Sequence, residues 1–431
     1  MEKRIKQSNS IQHRKNVLYI MKRDFRIQDN HSVILGYEMS EHNKSEFYIL
    51  INPNEYNKNL NTRQKVFMRQ GINEILNECE NLNIHVIFNM LFNEVVYKYQ
   101  IDCIITEESP LREAKLFHSI LNDFCIDNRI ALYFCDSHNI VPSVCLNKYI
   151  KSAKVVKENL YKYWPIYLSE FPVLKRHRYN KLVNNIPFTY TDINDVSDID
   201  VCGGYTNGMK EVNKFIEEKF HNFKKLRNQA DFNNVSNLQP WILSGQIGSQ
   251  SLALYICKKY PIDDENTQDF LNEIFIWKET AEHFCRNECN YDNLKGASTW
   301  AVETLDAHKN DKRSEICTEK NLEKLKTKNI EWNAGMNELK STGRMHLYVF
   351  IYWCKHLLFM TKTPEEALKL SFSLYGKYSL EANYPYSILW IMYSICGVMD
   401  QGFGERNVIG KIRYIKSIKA PKYISMWSIQ K

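Results

Sequence analysis

Glu273 and Trp277 stand four residues apart in the run FLNEIFIWKE. On a helix that spacing puts both on one face. A carboxylate beside an indole can hydrogen-bond the edge of a planar ligand and stack on its face. The same pair also reads as an amphipathic helix with one boundary acid, which on its own is the commoner arrangement. Arg227 and Asn228 end one helical pattern, and VSNLQPW follows with Val235, Ser236, Asn237 and Leu238 ahead of the next. Short hydrogen-bonding side chains before a helix suit a phosphate at exposed N–H groups, or a plain helix cap. Trp332 and Trp353 lie on different helical stretches, where paired indoles either relay electrons to a buried redox group or simply pack. Phe403 precedes Lys411, Arg413, Lys416 and Lys419 with Gly402 and Gly404 around it. An aromatic wedge with nearby cations can enter a base stack and hold its backbone, and a basic tail looks the same.

The elements that must position these residues divide the chain in two. Apolar runs at 17–21, 47–51, 84–88, 101–105 and 130–135 alternate with helix-length segments such as 62–79 and 111–124. Strands apolar throughout and separated by helices predict a parallel sheet covered on both faces, an α/β domain over residues 17–142. Residues 1–16 are polar and basic and read as a disordered arm. Residues 143–208 read as a linker, helical in 148–168 and a polar surface loop over 184–208. From 209 to 431 the pattern is helical. Val212, Phe215, Ile216, Phe220, Phe223 and Leu226 fall on one face, and 345–360 and 388–398 are apolar nearly all round, as central buried helices are.

Composition narrows the classes. The 431 residues carry a net charge of +7, with 44% apolar and 25% charged residues, ordinary for a globular protein. Aromatic content is 13%, high enough to serve stacked bases or planar cofactors as well as core. Twelve cysteines without a CxxC pair, and no leader-like start, point to a reducing intracellular compartment. His283, Cys285 and Cys289 lack a fourth ligand and zinc spacing, so buried thiols are the better reading. No apolar run is long and clean enough to span a membrane. The run MKRDFRIQDNH after the first strand is no glycine fingerprint, and GxxxxGK[ST] is absent, so motifs alone identify no nucleotide site.

Taken together, the blocks resemble the class II cyclobutane-pyrimidine-dimer photolyases. They run in one order: MKRDFRIQDN at 21–30, ESPLR at 108–112, SHNIVP at 137–142, RN at 227–228 and the helix of Glu273 and Trp277. GASTWA at 296–301, HKNDKR at 308–313, WNA at 332–334, GRMH at 343–346, YWCK at 352–355, PEEAL at 364–368 and 395–414 follow. The resemblance implies a Rossmann-like α/β domain, a long linker and a helical domain holding FAD. It implies a DNA photolyase, a carbon–carbon lyase in which excited, reduced FAD passes an electron to a pyrimidine dimer in double-stranded DNA. The protein would act as a monomer. An antenna chromophore is left open.

By matched position, Glu273 resembles the acid on the lesion, Trp277 one aromatic wall of its pocket and Tyr393 the other. Arg227, Asn228, Val235, Ser236, Asn237 and Leu238 resemble flavin contacts, as do Tyr375 and Glu381. Trp332 and Trp353 resemble members of an electron-transfer chain. Phe403 takes the wedge position, Arg413 that of the arginine filling the hole in the duplex, and Lys411 lies beside them on the DNA side. The matched pattern has tryptophan at Met360, Tyr393 and Phe403, asparagine at Tyr375, aspartate at Glu381 and Tyr384, and tyrosine at Phe223. These departures leave two further readings: a photolyase-like protein that binds DNA or another partner without flavin photochemistry, and a cryptochrome-like light receptor.

Overall fold

The structure is a computed structural model, and it describes residues 2–52, 60–182 and 199–428. Five parallel strands form in the first third: β2 (Asn16–Met21), β3 (Phe47–Ile51), β4 (His85–Phe88), β5 (Ile101–Glu107) and β6 (Ala131–Cys135). The pleat sends Val17, Tyr19 and Met21 into one apolar layer and Leu18 and Ile20 into the layer on the opposite face. Both faces are covered by helices, which is why these strands alternate no polar residues. The order of these five across the sheet is β6-β5-β2-β3-β4.

The sixth strand corrects the expected disordered arm. Residues Glu2–Arg4 form a turn, and β1 (Ile5–Gln7) pairs antiparallel with β6 through Ile5 and Cys135, Lys6 and Phe134, Gln7 and Tyr133. Arg4 is 4% exposed. Its guanidinium donates to the carbonyls of Asp136 (3.2 Å), Asn139 (2.6 Å) and Ile140 and to Gln250 Oε1 (3.2 Å). A charge run usually means a solvated face, but here the cation finds a full set of acceptors. Further along the same segment, Asp102 accepts from the amides of Arg14 (2.9 Å) and Lys15 (3.0 Å).

The described parts of the linker are fixed in place. Ala153–Tyr167 is helical, and the next helix, Tyr205–Glu218, starts ahead of position 209. Of the expected loop at 184–208, residues 184–198 lie outside the described residues. Residues 199–204 do not hang free, because Gly203 N donates to Gln70 Oε1 at 2.7 Å and Gly204 N to Gln246. The single helix expected through Leu226 breaks after Glu218 into a turn, Phe220–Asn222, and a short helix, Phe223–Leu226. Phe220 and Phe223 still reach the core.

Two helices buried on nearly every side, Leu347–Met360 and Pro385–Cys396, form the centre of the second half. The second stops at Gly397, whose φ of 62° and close approach to the Trp300 ring exclude a side chain. The halves meet on charged residues from the first sequence blocks. Arg23 pairs with Glu282, and Arg26 bridges Asp24 (2.8 Å) and the Gly245 carbonyl (2.9 Å). Lys278 donates to the His138 carbonyl at 2.6 Å, and Glu279 accepts from the amides of Ile140 and Val141. MKRDFRIQDN and SHNIVP thus act as a seam between the two domains.

Candidate functional site

Glu273 and Trp277 share a face, though the segment Asn272–Trp277 is a π-helical turn inserted between two α-helices. Such turns re-aim side chains and recur at functional sites. Burial pushes the Glu273 carboxyl above its usual range, opposed by the Ser236 hydroxyl, which donates to it, and by Arg227. Trp277 and Tyr393 form the two walls of a closed slot, meeting edge to face with centroids 6.3 Å apart at 73°. Tyr393 comes from the helix Pro385–Cys396, and Lys355 lies 5.5 Å over its ring. Burial lowers the Lys355 ammonium to about 8 while its Nζ donates to the Ser394 carbonyl at 2.9 Å.

Beneath the slot is a cavity lined by Val235, Asn237, Gln239, Glu273, Phe350, Tyr375, Glu381, Tyr386 and Trp390. Arg227 pairs with Asp269 at 2.8 Å nearby, and Arg344 donates to the Asn237 carbonyl at 3.4 Å. Leu238 is buried and Asn228 is exposed, neither lining the cavity. Tyr375 is 3% exposed and donates to Glu381 at 3.4 Å. Burial raises Glu381 to about 7, with Arg344 opposing and Glu273 adding to the rise.

That shift has a measurable sign. The folded value lies above the ordinary 4.5, so folding favours the protonated acid, and stability falls as pH rises from 4.5 through about 7. The contribution is at most about 3 kcal/mol. Glu381→Gln should flatten the pH dependence of stability across that window, measured by denaturant unfolding at several pH values. An unchanged slope would place the titration elsewhere.

Trp332 and Trp353 come together as expected, stacked at 5.3 Å and 15°, with Trp332 Nε1 donating to the Trp353 carbonyl at 3.1 Å. The row continues through Phe350, 6.3 Å from Trp353, to Tyr375, 4.4 Å from Phe350, and so to the cavity. Met360, at the far end of that helix, is buried at 4% exposure.

Beside the slot the loop after Gly397 folds back on itself. Phe403 N donates to the Lys411 carbonyl at 2.8 Å, and Arg406 pairs with Gly410. Arg413 binds Asp400 through two bonds of 2.9 Å and lies 4.2 Å over the Phe403 ring. Burial works against charge on Asp400, but the paired guanidinium holds its carboxyl below the usual range. Lys411 and Arg413 are exposed, and Phe403 is half-buried.

Comparison with known proteins places this arrangement. No family model matches the chain. Deoxyribodipyrimidine photo-lyase of Potorous tridactylus is 30% identical over 412 residues, 92% of this chain and 77% of the relative. The chain belongs to the deoxyribodipyrimidine photo-lyase family. The enzyme of that name from Arabidopsis thaliana is 30% identical over 423 residues, covering 93% of this chain and 85% of that one. Among solved structures, a class III photolyase from Agrobacterium tumefaciens shares the fold with a TM-score of 0.73 at 13% identity, over 97% of this chain and 87% of its own. A Synechocystis cryptochrome shares it at 0.70 and 12%, with the same coverage. The α/β domain followed by a helical domain is thus the architecture of photolyases and cryptochromes. No helix among the described residues is long and apolar enough to cross a membrane.

Against this photo-lyase frame, several residues depart from the positions expected of them. Tyr384 does not line the cavity under the slot. It lines a larger one of about 480 Å³ at the domain seam, with Arg23, Glu107, Arg112, Tyr291 and Phe372. Trp390 was hidden in a run that reads as core, although its spacing from Tyr386 and Tyr393 puts all three on neighbouring parts of one helix face. Lys154 and Lys157, which border a groove with Trp277, look from sequence like one more charged helix face.

The resemblance implies FAD, and the cavity tests it. The polar lining suits a planar ring rich in amides, since Asn237, Gln239, Glu273 and Glu381 all border the cavity. The space does not suit it. The cavity is about 50 Å³, whereas ligand pockets run to about 300–1,000 Å³. Phe350, Tyr375, Tyr386 and Trp390 fill the difference. As these side chains stand, the residues do not fit a flavin.

Proposed function

We propose that the chain is a class II photolyase that recognises pyrimidine dimers in double-stranded DNA and splits them with light. The observation that carries this is the arrangement at one mouth: the Trp277–Tyr393 slot, the half-buried Glu273 behind it and the Phe403–Arg413 loop beside it. Family membership supplies the reaction. Trp277 and Tyr393 give apolar faces to an unstacked dimer, and Glu273, whose carboxyl burial pushes above its usual range, stands at its edge. Phe403 enters the stack, Arg413 holds the opened duplex, and Lys411 meets phosphate. FAD, if bound, would supply the electron. Arg227, Ser236, Asn237 and Glu381 are the polar groups nearest the place it would take, which Tyr375 now fills, and Trp332 and Trp353 the rings that would keep it reduced.

A second reading rests on the cavity of about 50 Å³. A chain that keeps the DNA-facing residues while its cavity is filled would bind dimers without photochemistry. One preparation separates the two. The proposed function expects flavin absorption in the purified protein and blue-light restoration of a dimer-bearing oligonucleotide. Dimer-selective binding in the dark, from a colourless protein with no light-dependent repair, would establish the second reading. Failure to prefer damaged over undamaged DNA sinks both.

A further inference from the structure

Lys355 sits where the second central helix ends and the loop of Phe403 and Arg413 begins. It lies on the helix Leu347–Met360 and is 3% exposed. Its Nζ is 5.5 Å from the centre of the Tyr393 ring and donates to the Ser394 carbonyl at 2.9 Å. Ser394 belongs to the last turn of Pro385–Cys396, where carbonyls have run out of donors within the helix. The Tyr393 carbonyl is taken by the Gly397 amide at 3.2 Å, and the Ser394 carbonyl by Lys355. An ammonium there also meets the negative end of the helix dipole. Just past Gly397 stands Asp400. Its carboxylate attracts Lys355, accepts from the Tyr393 hydroxyl and holds Arg413 through two bonds of 2.9 Å. Core cation, aromatic wall, acid and exposed cation are thus linked in series. The fold does not call for this charge. Burial lowers the Lys355 ammonium from its ordinary 10.5 to about 8, so holding it charged costs stability. An apolar chain of similar length would pack there without that cost.

We propose that Lys355 is a positioning residue for dimer recognition, its buried ammonium fixing the Tyr393 wall and the root of the Asp400–Arg413 clamp in one arrangement. This rests on the reading of the slot as the place where a dimer binds. Tyr393 gains a cation over its ring. The turn behind it gains a capped carbonyl, and Asp400 is attracted from the core side while Arg413 holds it from the surface. Loss of the charge removes the first and third of these and weakens the second. The neighbouring groups leave Lys355 as the one that responds near neutral pH. Burial pushes the Cys354 and Cys396 thiols up and the Tyr393 phenol to about 12, and it lowers the His356 imidazole. Burial opposes charge on Asp400, yet Arg413 keeps it below the usual carboxylate range, and Asp400 in turn raises Arg413. Between about pH 7 and 9, Lys355 alone among these changes charge. The folded value lies below the ordinary one, so stability rises with pH between about 8 and 10.5. Dimer preference falls over the same rise, so the two run in opposite directions.

The test measures dark binding of a duplex carrying one cyclobutane dimer, and of the same duplex undamaged, from about pH 7 to 9. It compares the wild-type chain with Lys355→Met and Lys355→Arg. The ratio of the two affinities is the readout, because a general loss of positive charge weakens both alike. The wild-type ratio is expected to fall about 5-fold across the window, with its midpoint near 8. Lys355→Met should give a flat profile about 10-fold below the wild type at the acid end, the order of one desolvated cation–π contact. It should unfold in urea no earlier than the wild type. Lys355→Arg, charged throughout, should abolish the fall. If the guanidinium does not fit the buried site, the profiles of the wild type and Lys355→Met decide by themselves. Glu279 at the domain seam, which burial raises to about 8, titrates in the same window but is common to all three chains. A flat wild-type ratio, the same fall in Lys355→Met, or a Lys355→Met chain that is less stable with its ratio unchanged would each overturn the assignment. A wild type that prefers dimer-bearing duplex at no pH would instead overturn the reading of the slot.

Discussion

Replacing both Phe403 and Arg413 with alanine should weaken binding to dimer-bearing duplex DNA about 100-fold in the dark. The estimate comes from two contributions. A ring stacked on bases is worth about 1–3 kcal/mol, and one cation on the backbone adds a salt-dependent share. Every 1.4 kcal/mol is about tenfold. The loop is already shaped for the task, because Asp400 fixes Arg413 through two bonds of 2.9 Å and Arg413 fixes Phe403 at 4.2 Å. Little ordering remains to be done on binding. The single variants should be distinguishable. Arg413→Ala should reduce the salt dependence of affinity by about one unit of slope, whereas Phe403→Ala should reduce the preference for damaged over undamaged duplex and leave the slope alone. Asp400→Asn keeps the guanidinium charge and removes its anchor, so it should cost less than Arg413→Ala. Fluorescence anisotropy at two salt concentrations reads all three. A double variant that binds as the wild type does would remove this loop from the DNA interface.

The largest effect on stability should come from Arg4→Ala. Its guanidinium is buried among three backbone carbonyls and the Gln250 amide, with Asp136 as the nearby negative charge. Truncation leaves those acceptors unpaired and takes a cation from beside a buried acid. Losses of this kind cost about 3–5 kcal/mol, a large part of the whole stability of a typical domain. Arg4→Lys keeps the charge but cannot reach the acceptors as a planar fork does, so it should recover only part. Urea unfolding measures the change, and a loss below about 1 kcal/mol would show the segment to be peripheral.

Arg4 also shows where sequence reading stops. The five parallel strands were legible because each is a short apolar run between helices, and the two central helices because they are apolar all round. β1 carries no such signal. Ile5 is its single large apolar residue among charges, and its partners lie more than a hundred residues away. At the site, Glu273, Trp277, Trp332 and Trp353 could be picked out by type and spacing, and Trp332 and Trp353 do stack. Asn228 could not be placed, since exposure depends on how a helix ends. Tyr384 follows the same logic: one residue before Pro385, it falls on the seam side of the helix start and leaves the cavity to Tyr386. Trp390 was masked by the composition of its own helix. An indole in an apolar run reads as core, and only the positions of Trp277 and Tyr393 in space reveal what it stands between.

The antiparallel strand at the edge of the sheet has a consequence for how the protein is made. β1 leaves the ribosome well before its partner β6, which begins at Ala131, and the farthest hydrogen-bond partner of Arg4 is 246 residues downstream. At about 5–20 residues per second, the segment waits roughly 6–25 s for β6 and about twice that for Gln250. The parallel strands can assemble in the meantime, leaving one edge of β6 bare until residues 5–7 return to it. A strand made early is therefore seated late, and with it Arg4 ties the edge of the α/β sheet to Gln250 of the helical half.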